Sequence, residues 1–431
     1  MTRRKKRPNY FGWTVFGLVL LFGYYFNQVY LPSQPNPFLP TPTPTRAPKS
    51  YVTEGEALFN DGKLFQAIEA YKEAIRSSPQ DSSLYVSLAR LQVWAGQYEE
   101  AQTNAESALL LNSKNALAMG VRAWSLDFQG KNSEAMDSIE EAVAADPNNA
   151  LIQSYYVEIL TDAGYDYYDQ AATQSRAALA LDPGIVETHR ARAYLLSQAP
   201  DPIPNPDPIT NLEEAIEEYK AAIKINKNIP ILHMELANNY RRIQATDEAV
   251  TEYTLANTLN PSDPEPEYLM SRTYAGVGDY AKAVQYAEQS VNDEPTNPKY
   301  RGNYGIMLYR NLRWPEAIDE FRLALNGGTL EDGKHVVGLP LDANDPRVIE
   351  YYYIYGLTLA YQNECGEALQ IVQNIQSKLR SNEDALAAAD KTIQICQDNL
   401  NNPVSATSTP EETESATSTP EVEMTETPLP N

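Results

Sequence analysis

A small residue returns on a fixed step through most of this chain, and that period restricts the fold more than any other feature. Alanine occupies Ala67, Ala101, Ala135, Ala171, Ala215, Ala249, Ala283, Ala317 and Ala368; five of the eight intervals are 34 residues, and the others are longer by 2, 10 and 17. Seven residues on lies a second small series: Ala74, Ala108, Ala142, Ala178, Ala222, Ala256, Ser290 and Ala324, broken by Ile375. Twelve residues before most of the alanines comes a third: Gly55, Ala89, Ala123, Ala237, Ser271, Gly305 and Gly356. The fourth unit carries Val157 near that slot, which predicts looser packing there. Helix axes approach to about 8–10 Å only where side chains are small, so three small series in phase mark crossing points of packed helices. Tyr71, Tyr219, Tyr253 and Phe321, four residues after the alanine, are the large partners that fill the holes. Ala, Leu, Glu and Tyr dominate the middle of the chain and β-branched runs are scarce, which favours helix.

Punctuation agrees with the period. Each unit ends in a stop such as Pro79, Pro147, Pro183, Pro261 or Pro295, because proline lacks a backbone donor and clashes with a continuing helix. Gly96 and Gly278 mark turns between the two helices of a unit. Segments such as GQYEEAQTNAESALLL and GDYAKAVQYAEQSVNDEP resemble the tetratricopeptide repeat family, in nine consecutive units over approximately 51–378. The resemblance implies an all-α fold, a right-handed superhelical solenoid of about nine antiparallel helix pairs, whose first helices line a concave groove that binds proteins or peptides. One further amphipathic stretch, 381–400, places Ala385, Leu386, Ala389, Ile393 and Cys396 on a common stripe and suits a capping helix.

The ends of the chain differ from the middle. Residues 1–50 hold seven basic and no acidic side chains and residues 401–431 hold six Glu and no base, so with a whole-chain net charge of −24 the middle, 51–400, carries −25. That acidity argues against nucleic acid as a partner, since phosphate binding needs clustered Lys and Arg. Arg3, Arg4, Lys5, Lys6 and Arg7 form a basic stub, 1–9, ahead of the apolar stretch Tyr10–Leu31, whose strongly apolar part is nearer sixteen residues. It is expected to be a transmembrane helix, with the basic end cytoplasmic and the repeats extracytoplasmic; a cleaved signal peptide is the competing reading, but no small-x-small site follows Phe26. The Pro/Thr-rich run 32–49 reads as an extended spacer. The tail 401–431 repeats SATSTPE at 405–411 and 415–421 and reads as disordered; its composition also suits O-glycosylation or attachment to a cell surface.

Chemistry is sparse. Cys365 and Cys396 sit at matching distances on either side of the turn near Ser381, so across an antiparallel pair they meet, either as a disulfide or as packed thiols. His189 and His233 occupy equivalent slots, in series with Tyr85 and Tyr352, and read as packing residues rather than ligands. No metal-ligand spacing, phosphate loop or nucleophile elbow occurs, so no metal, cofactor or catalytic residue is expected and the chain is not read as an enzyme. Paired carboxylates such as Glu99 and Glu100 lie where a solvated face belongs.

The face expected to line the groove is richer. Its first half offers Arg90, Trp94, Trp124 and Phe128; the second offers Arg190, Tyr194, Asn238, Arg241, Arg242, Tyr268, Arg272, Tyr309, Arg310 and Tyr353. Arginine grips carboxylates bidentately and tyrosine gives contact area at low entropic cost, which points to an acidic protein or peptide partner. The plainer alternative is that these arginines neutralise Glu on neighbouring helices. Two insertions, 199–210 and 326–346, are long enough to modify the groove, and His335–Leu341 is apolar enough to pack into it. The expected function is a membrane-tethered scaffold for a protein or peptide; the rival readings are a non-catalytic structural spacer or assembly factor of a cell-surface complex, and an accessory subunit of a surface machine.

Overall fold

A computed structural model describes residues 10–26, 28, 46–199 and 211–401. After an N-terminal helix, Tyr10–Tyr25 (α1), nine helix pairs follow among the described residues. They are Pro48–Asn60 with Leu64–Ser77 (α2, α3), Ser82–Trp94 with Tyr98–Leu111 (α4, α5), and Ala116–Asp127 with Asn132–Ala145 (α6, α7). Next come Ala150–Asp162 with Tyr168–Leu181 (α8, α9), Val186–Gln198 with Asn211–Ile225 (α10, α11), and Pro230–Arg242 with Thr246–Leu259 (α12, α13). The last three are Glu265–Gly276 with Tyr280–Asp293 (α14, α15), Pro298–Arg310 with Trp314–Asn326 (α16, α17), and Pro346–Tyr361 with Cys365–Lys378 (α18, α19). Helix Glu383–Asn401 (α20) packs on α18 and α19 and covers the last pair. From α2 onward each helix packs on the next, and several first helices also pack on the first helix of the neighbouring unit, which makes an all-α solenoid.

The small residues do what their spacing predicts. All nine alanines of the first series are fully buried, as are Ala74, Ala108, Ala142, Ala178, Ala222 and Ala324 of the second. Close approach is concrete at Gly305, where an added Cβ would lie 2.8 Å from the Phe321 ring, and at Gly55, where it would lie 2.7 Å from Tyr71. The aromatic four residues after the alanine thus rests on the small slot of the preceding helix. The fourth unit departs from expectation. Val157 is fully buried and Ile159 is 1% exposed, so the larger side chains are packed and the unit is not loosened.

The turn inside each unit repeats too. Gly62, Gly96, Gly130 and Gly278 have φ between 70° and 78°, and Gln244, Leu312 and Asn363 adopt the same left-handed conformation without being glycine. An L-residue there costs about 1–2 kcal/mol, partly offset by the chain entropy that glycine loses. Leu312 is 73% exposed, so its side chain contributes little packing in return. Leu312→Gly is expected to raise stability by about 0.5–1 kcal/mol, seen as a higher urea midpoint. An unchanged or lower midpoint would mean that the leucine holds the turn.

Loops between units are tied by a recurring side chain. Tyr85 donates to the carbonyl of Pro79 (3.2 Å), Gln153 to Pro147 (2.8 Å) and Arg301 to Pro295 (2.7 Å), each six residues back. His189 and His233 belong to this set, with Nε2 at 3.0 Å from the Pro183 carbonyl and 2.9 Å from that of Lys227. Their Nδ1 atoms meet Glu218 and Glu252, both at 2.6 Å. A carbonyl and a carboxylate only accept, so this pair of partners favours the charged ring, which donates from both nitrogens. Both pKa values are raised: at His189 chiefly by the bond to Glu218, at His233 because Glu252 and the carbonyl outweigh burial.

The insertions are absorbed locally. The two extra residues of the fourth unit are taken up where a three-residue 3-10 turn, Tyr165–Tyr167, precedes α9. Most of 199–210 lies outside the described residues. In the 326–346 loop, Gly328–Thr329 (β1) pairs antiparallel with His335–Val336 (β2). Val336 and Leu341 are buried, and the Leu339 backbone donates to Ala324 and accepts from Tyr352. The loop therefore closes over the end of α17 instead of filling the groove.

The expected membrane anchor is overturned. No helix among the described residues is long and apolar enough to cross a membrane. Helix α1 has 16 residues, about 24 Å at 1.5 Å per residue, against a hydrocarbon core of about 30 Å. The single-pass topology built on that span, with a cytoplasmic N-terminus and extracytoplasmic repeats, falls with it. The basic stub 1–9, residues 32–45 of the Pro/Thr-rich run and the tail beyond Asn401 lie outside the described residues.

Candidate functional site

First helices face inward, and the inner surface divides into a closed half and an open half. In the closed half Arg190, on α10, is 2% exposed. Its Nη1 meets Glu158 at 2.6 Å, and its Nε and Nη2 grip Glu235 at 3.1 and 2.6 Å. Trp124, fully buried, donates its indole N–H to the same Glu158 oxygen at 2.7 Å. The rings of Trp94, Phe128 and Trp124 lie 5.5, 5.5 and 6.0 Å from the guanidinium carbon. Arg90 donates to Glu187 at 2.6 Å and to the Tyr155 hydroxyl at 3.2 Å, and Tyr194 donates to Asp162 at 2.5 Å.

These bonds join units two to six across the interior. At the rim, Asn228 donates its amide to the Asn60 carbonyl at 2.6 Å, which brings the loop between units five and six onto the turn of unit one. The expected aromatic groove is corrected accordingly. The first units curve so tightly that inner side chains of distant units meet: Trp124 and Arg190 are closed off from solvent, and Trp94 packs against both of them. Low dielectric shows in the titrating groups. Burial raises Glu158 to about 7 although Arg190 and Trp124 pull the other way. Asp127 is pushed to about 9 by burial, with the Asp162 and Glu158 charges adding to it. At Arg190 burial is outweighed by Glu158 and Glu235, which hold the guanidinium well above its usual range.

The open half lies in units seven to nine. A pocket of about 100 Å³ is lined among others by Arg272, Asn303, Arg310, Arg347, Glu350 and Tyr351. Arg347 and Arg310 share Glu350 at 2.9 and 3.7 Å. Arg272 donates to the Tyr268 hydroxyl at 3.1 Å and lies 5.6 Å from that ring's centre. Three guanidinium groups thus face one carboxylate. Glu350 is raised by burial while Arg310 and Arg272 pull it down. Tyr309 and Tyr353 are half-buried beside the cluster, and burial pushes Tyr309 up to about 12.

The remaining sequence-predicted residues lie elsewhere. Asn238 accepts from the Tyr253 hydroxyl at 2.6 Å, Arg241 is half-buried beside the same hydroxyl, and the exposed Arg242 reaches the Ser197 carbonyl. Arg347 and Glu350 were not singled out from sequence. The pocket arginines come from different turns of three successive first helices, so no single repeat position marks them. Cys365 and Cys396 are joined by a disulfide with Cα atoms 5.6 Å apart. Among the described residues no group of three or more His, Cys, Asp or Glu side chains could hold a metal ion.

Known proteins place these observations. Tetratricopeptide repeat models match residues 58–125 and 268–330. The chain is similar to a DnaJ homolog subfamily C member 7 homolog of Dictyostelium discoideum, 25% identical over 226 residues, covering 50% of this chain and 40% of the relative. It is also similar to tetratricopeptide repeat protein 21B of Xenopus laevis, 21% identical over 373 residues, covering 81% of this chain and 26% of the relative. The chain therefore spans less than half the length of either. Among solved structures, the human IFIT1 dimer with PPP-AAAA superposes with a TM-score of 0.52 at 16% identity, covering 86% of this chain and 82% of that one. That likeness shows the fold, a tetratricopeptide-type solenoid.

Proposed function

We propose that this chain of tetratricopeptide repeats is a protein-interaction scaffold whose inner pocket, in units seven to nine, takes a carboxylate of an acidic partner peptide. The observation that carries the reading is the excess of cation: Arg272, Arg310 and Arg347 around an opening that holds only Glu350. Arginine's planar fork suits bidentate grip of a carboxylate, and the half-buried setting strengthens such bonds relative to water. Tyr309 and Tyr353 beside the pocket offer flat apolar contact to the rest of a peptide. Similarity to tetratricopeptide proteins, which typically bind other proteins, supports the scaffold role.

The test is the paired variant Arg272→Glu with Arg310→Glu, assayed against a peptide library with free C-termini and a second copy with amidated C-termini. Selected acidic peptides are expected to bind the variant at least about tenfold more weakly, because hydrogen bonds to charged groups each contribute about 1.5–3 kcal/mol. Equal binding by wild type and variant would remove the pocket from the function. A second reading, a non-catalytic spacer or assembly factor, draws on the closed half, where Arg90 and Arg190 are consumed by internal Glu partners. It predicts that no library peptide is selected while the chain self-associates in light scattering.

A further inference from the structure

A second cavity, of about 320 Å³, lies at the other end of the solenoid, between units one and two. Its size is at the lower end of small-ligand pockets. Tyr71 and Trp94, each 6% exposed, form part of its floor, and Phe59, half-buried, forms a wall. Ser87 contributes a hydroxyl and Arg90 a guanidinium. Glu56 stands exposed at the mouth.

The charges decide what such a cavity admits. Arg90 is neutralised by Glu187 at 2.6 Å and is also bound to Tyr155, so it offers little free positive charge. Glu56 has no salt bridge among the described residues. Its field reaches the floor: after burial, the Glu56 charge is the next cause raising the Tyr71 pKa, while the Ser87 hydroxyl and the Arg90 charge act the other way with smaller effect. The cavity thus combines one uncompensated carboxylate, two hydroxyl oxygens able to accept, and aromatic surface. A primary ammonium presents three N–H donors and a charge of one, and its alkyl stem lies favourably along aromatic rings.

We propose that the cavity between α2 and α4 binds a primary alkylammonium group, with Glu56 as its counter-ion and Tyr71 and Ser87 as acceptors. The group comes either from a lysine of a partner protein or from a free small amine. The site is independent of the arginine pocket and stands whether or not that pocket takes a carboxylate.

Calorimetric titration of the full chain at physiological salt tests this with three probes: acetyl-Gly-Lys-Gly-amide, the same peptide with norleucine for lysine, and n-butylammonium. The lysine peptide or n-butylammonium is expected to saturate below about 10 mM, with the norleucine peptide at least about tenfold weaker. Glu56→Gln should weaken the ammonium probe at least about tenfold with no change in melting temperature, since the side chain is exposed and without a salt bridge. Glu99→Gln, on an exposed outer face, controls for the general acidity of the chain and should leave affinity unchanged. A lysine peptide tighter than n-butylammonium assigns the ligand to a partner protein; a free amine at least as tight assigns it to small amines. Saturation by the norleucine peptide as tight as by the lysine peptide, no saturation by either ammonium, or an unaffected Glu56→Gln would overturn the site. Arg272→Glu with Arg310→Glu should not alter this titration, which separates its failure from failure of the carboxylate pocket.

Discussion

Arg190→Met is expected to destabilise the chain by about 3–5 kcal/mol, because it leaves two carboxylates facing a buried space with their shared cation gone. Arg190 is 2% exposed and holds Glu158 and Glu235, whose side chains are 3% and 16% exposed. Methionine fills most of the volume, so the loss reports charge rather than cavity. The deficit should depend on pH. Glu158 rises from 4.5 to about 7 in the fold, so its proton is held more tightly than in the unfolded chain. That contribution is present at acid pH and is lost as pH climbs through about 7. Arg190 is the largest influence lowering the Glu158 pKa. Without it the carboxylate protonates more readily, and the variant's deficit should be small at pH 5 and full at pH 8. Chemical denaturation at the two pH values checks this. Equal deficits would mean that Arg190 acts through packing against Trp94 and Phe128 instead.

Removing the Cys365–Cys396 bond should cost about 3–4 kcal/mol in the chain-entropy model, given a loop of 31 residues. The bond joins the first turn of α19 to the last two turns of α20. Helix α20 protects the buried face of unit nine, where Ala385, Ala389 and Cys396 are buried. The double variant Cys365→Ala with Cys396→Ala is therefore expected to lose amide protection first in α20, then in α18 and α19, while units two to six stay protected. Hydrogen exchange followed by mass spectrometry reads this directly. Uniform loss across the chain would show that the cap and body unfold as one cooperative unit.

The fold was legible because its physics is local and periodic. Ala101, Ala108 and Ala123 are buried for the same geometric reason in each unit, and a 34-residue period announces that reason many times. Closure of the interior was not legible. Arg90 and Glu187, or Arg190 and Trp94, are separated by about three units, and whether they meet depends on curvature accumulated over small rotations that no local pattern records. The pocket arginines were half legible: Arg272 and Arg310 stand on the inner face, but Arg347 enters from the first turn of α18, a different level of its helix. The membrane expectation failed on length. Charge and apolar composition pointed to an anchor, but the described helix ends at Tyr25.

The contact between Asn60 and Asn228 bears on how such a chain can diversify. Repeat arrays lengthen and shorten by gaining or losing whole units, since each unit touches only its neighbours. Here the first turn meets the loop before the sixth unit, so duplication or deletion of a unit between the second and the fifth would carry that loop past its partner and break the Arg90–Glu187 and Arg190–Trp94 contacts together. Units seven to nine carry no such constraint among the described residues. The front of the solenoid has a fixed number of units, and its back remains free to change length and, with it, what it recognises.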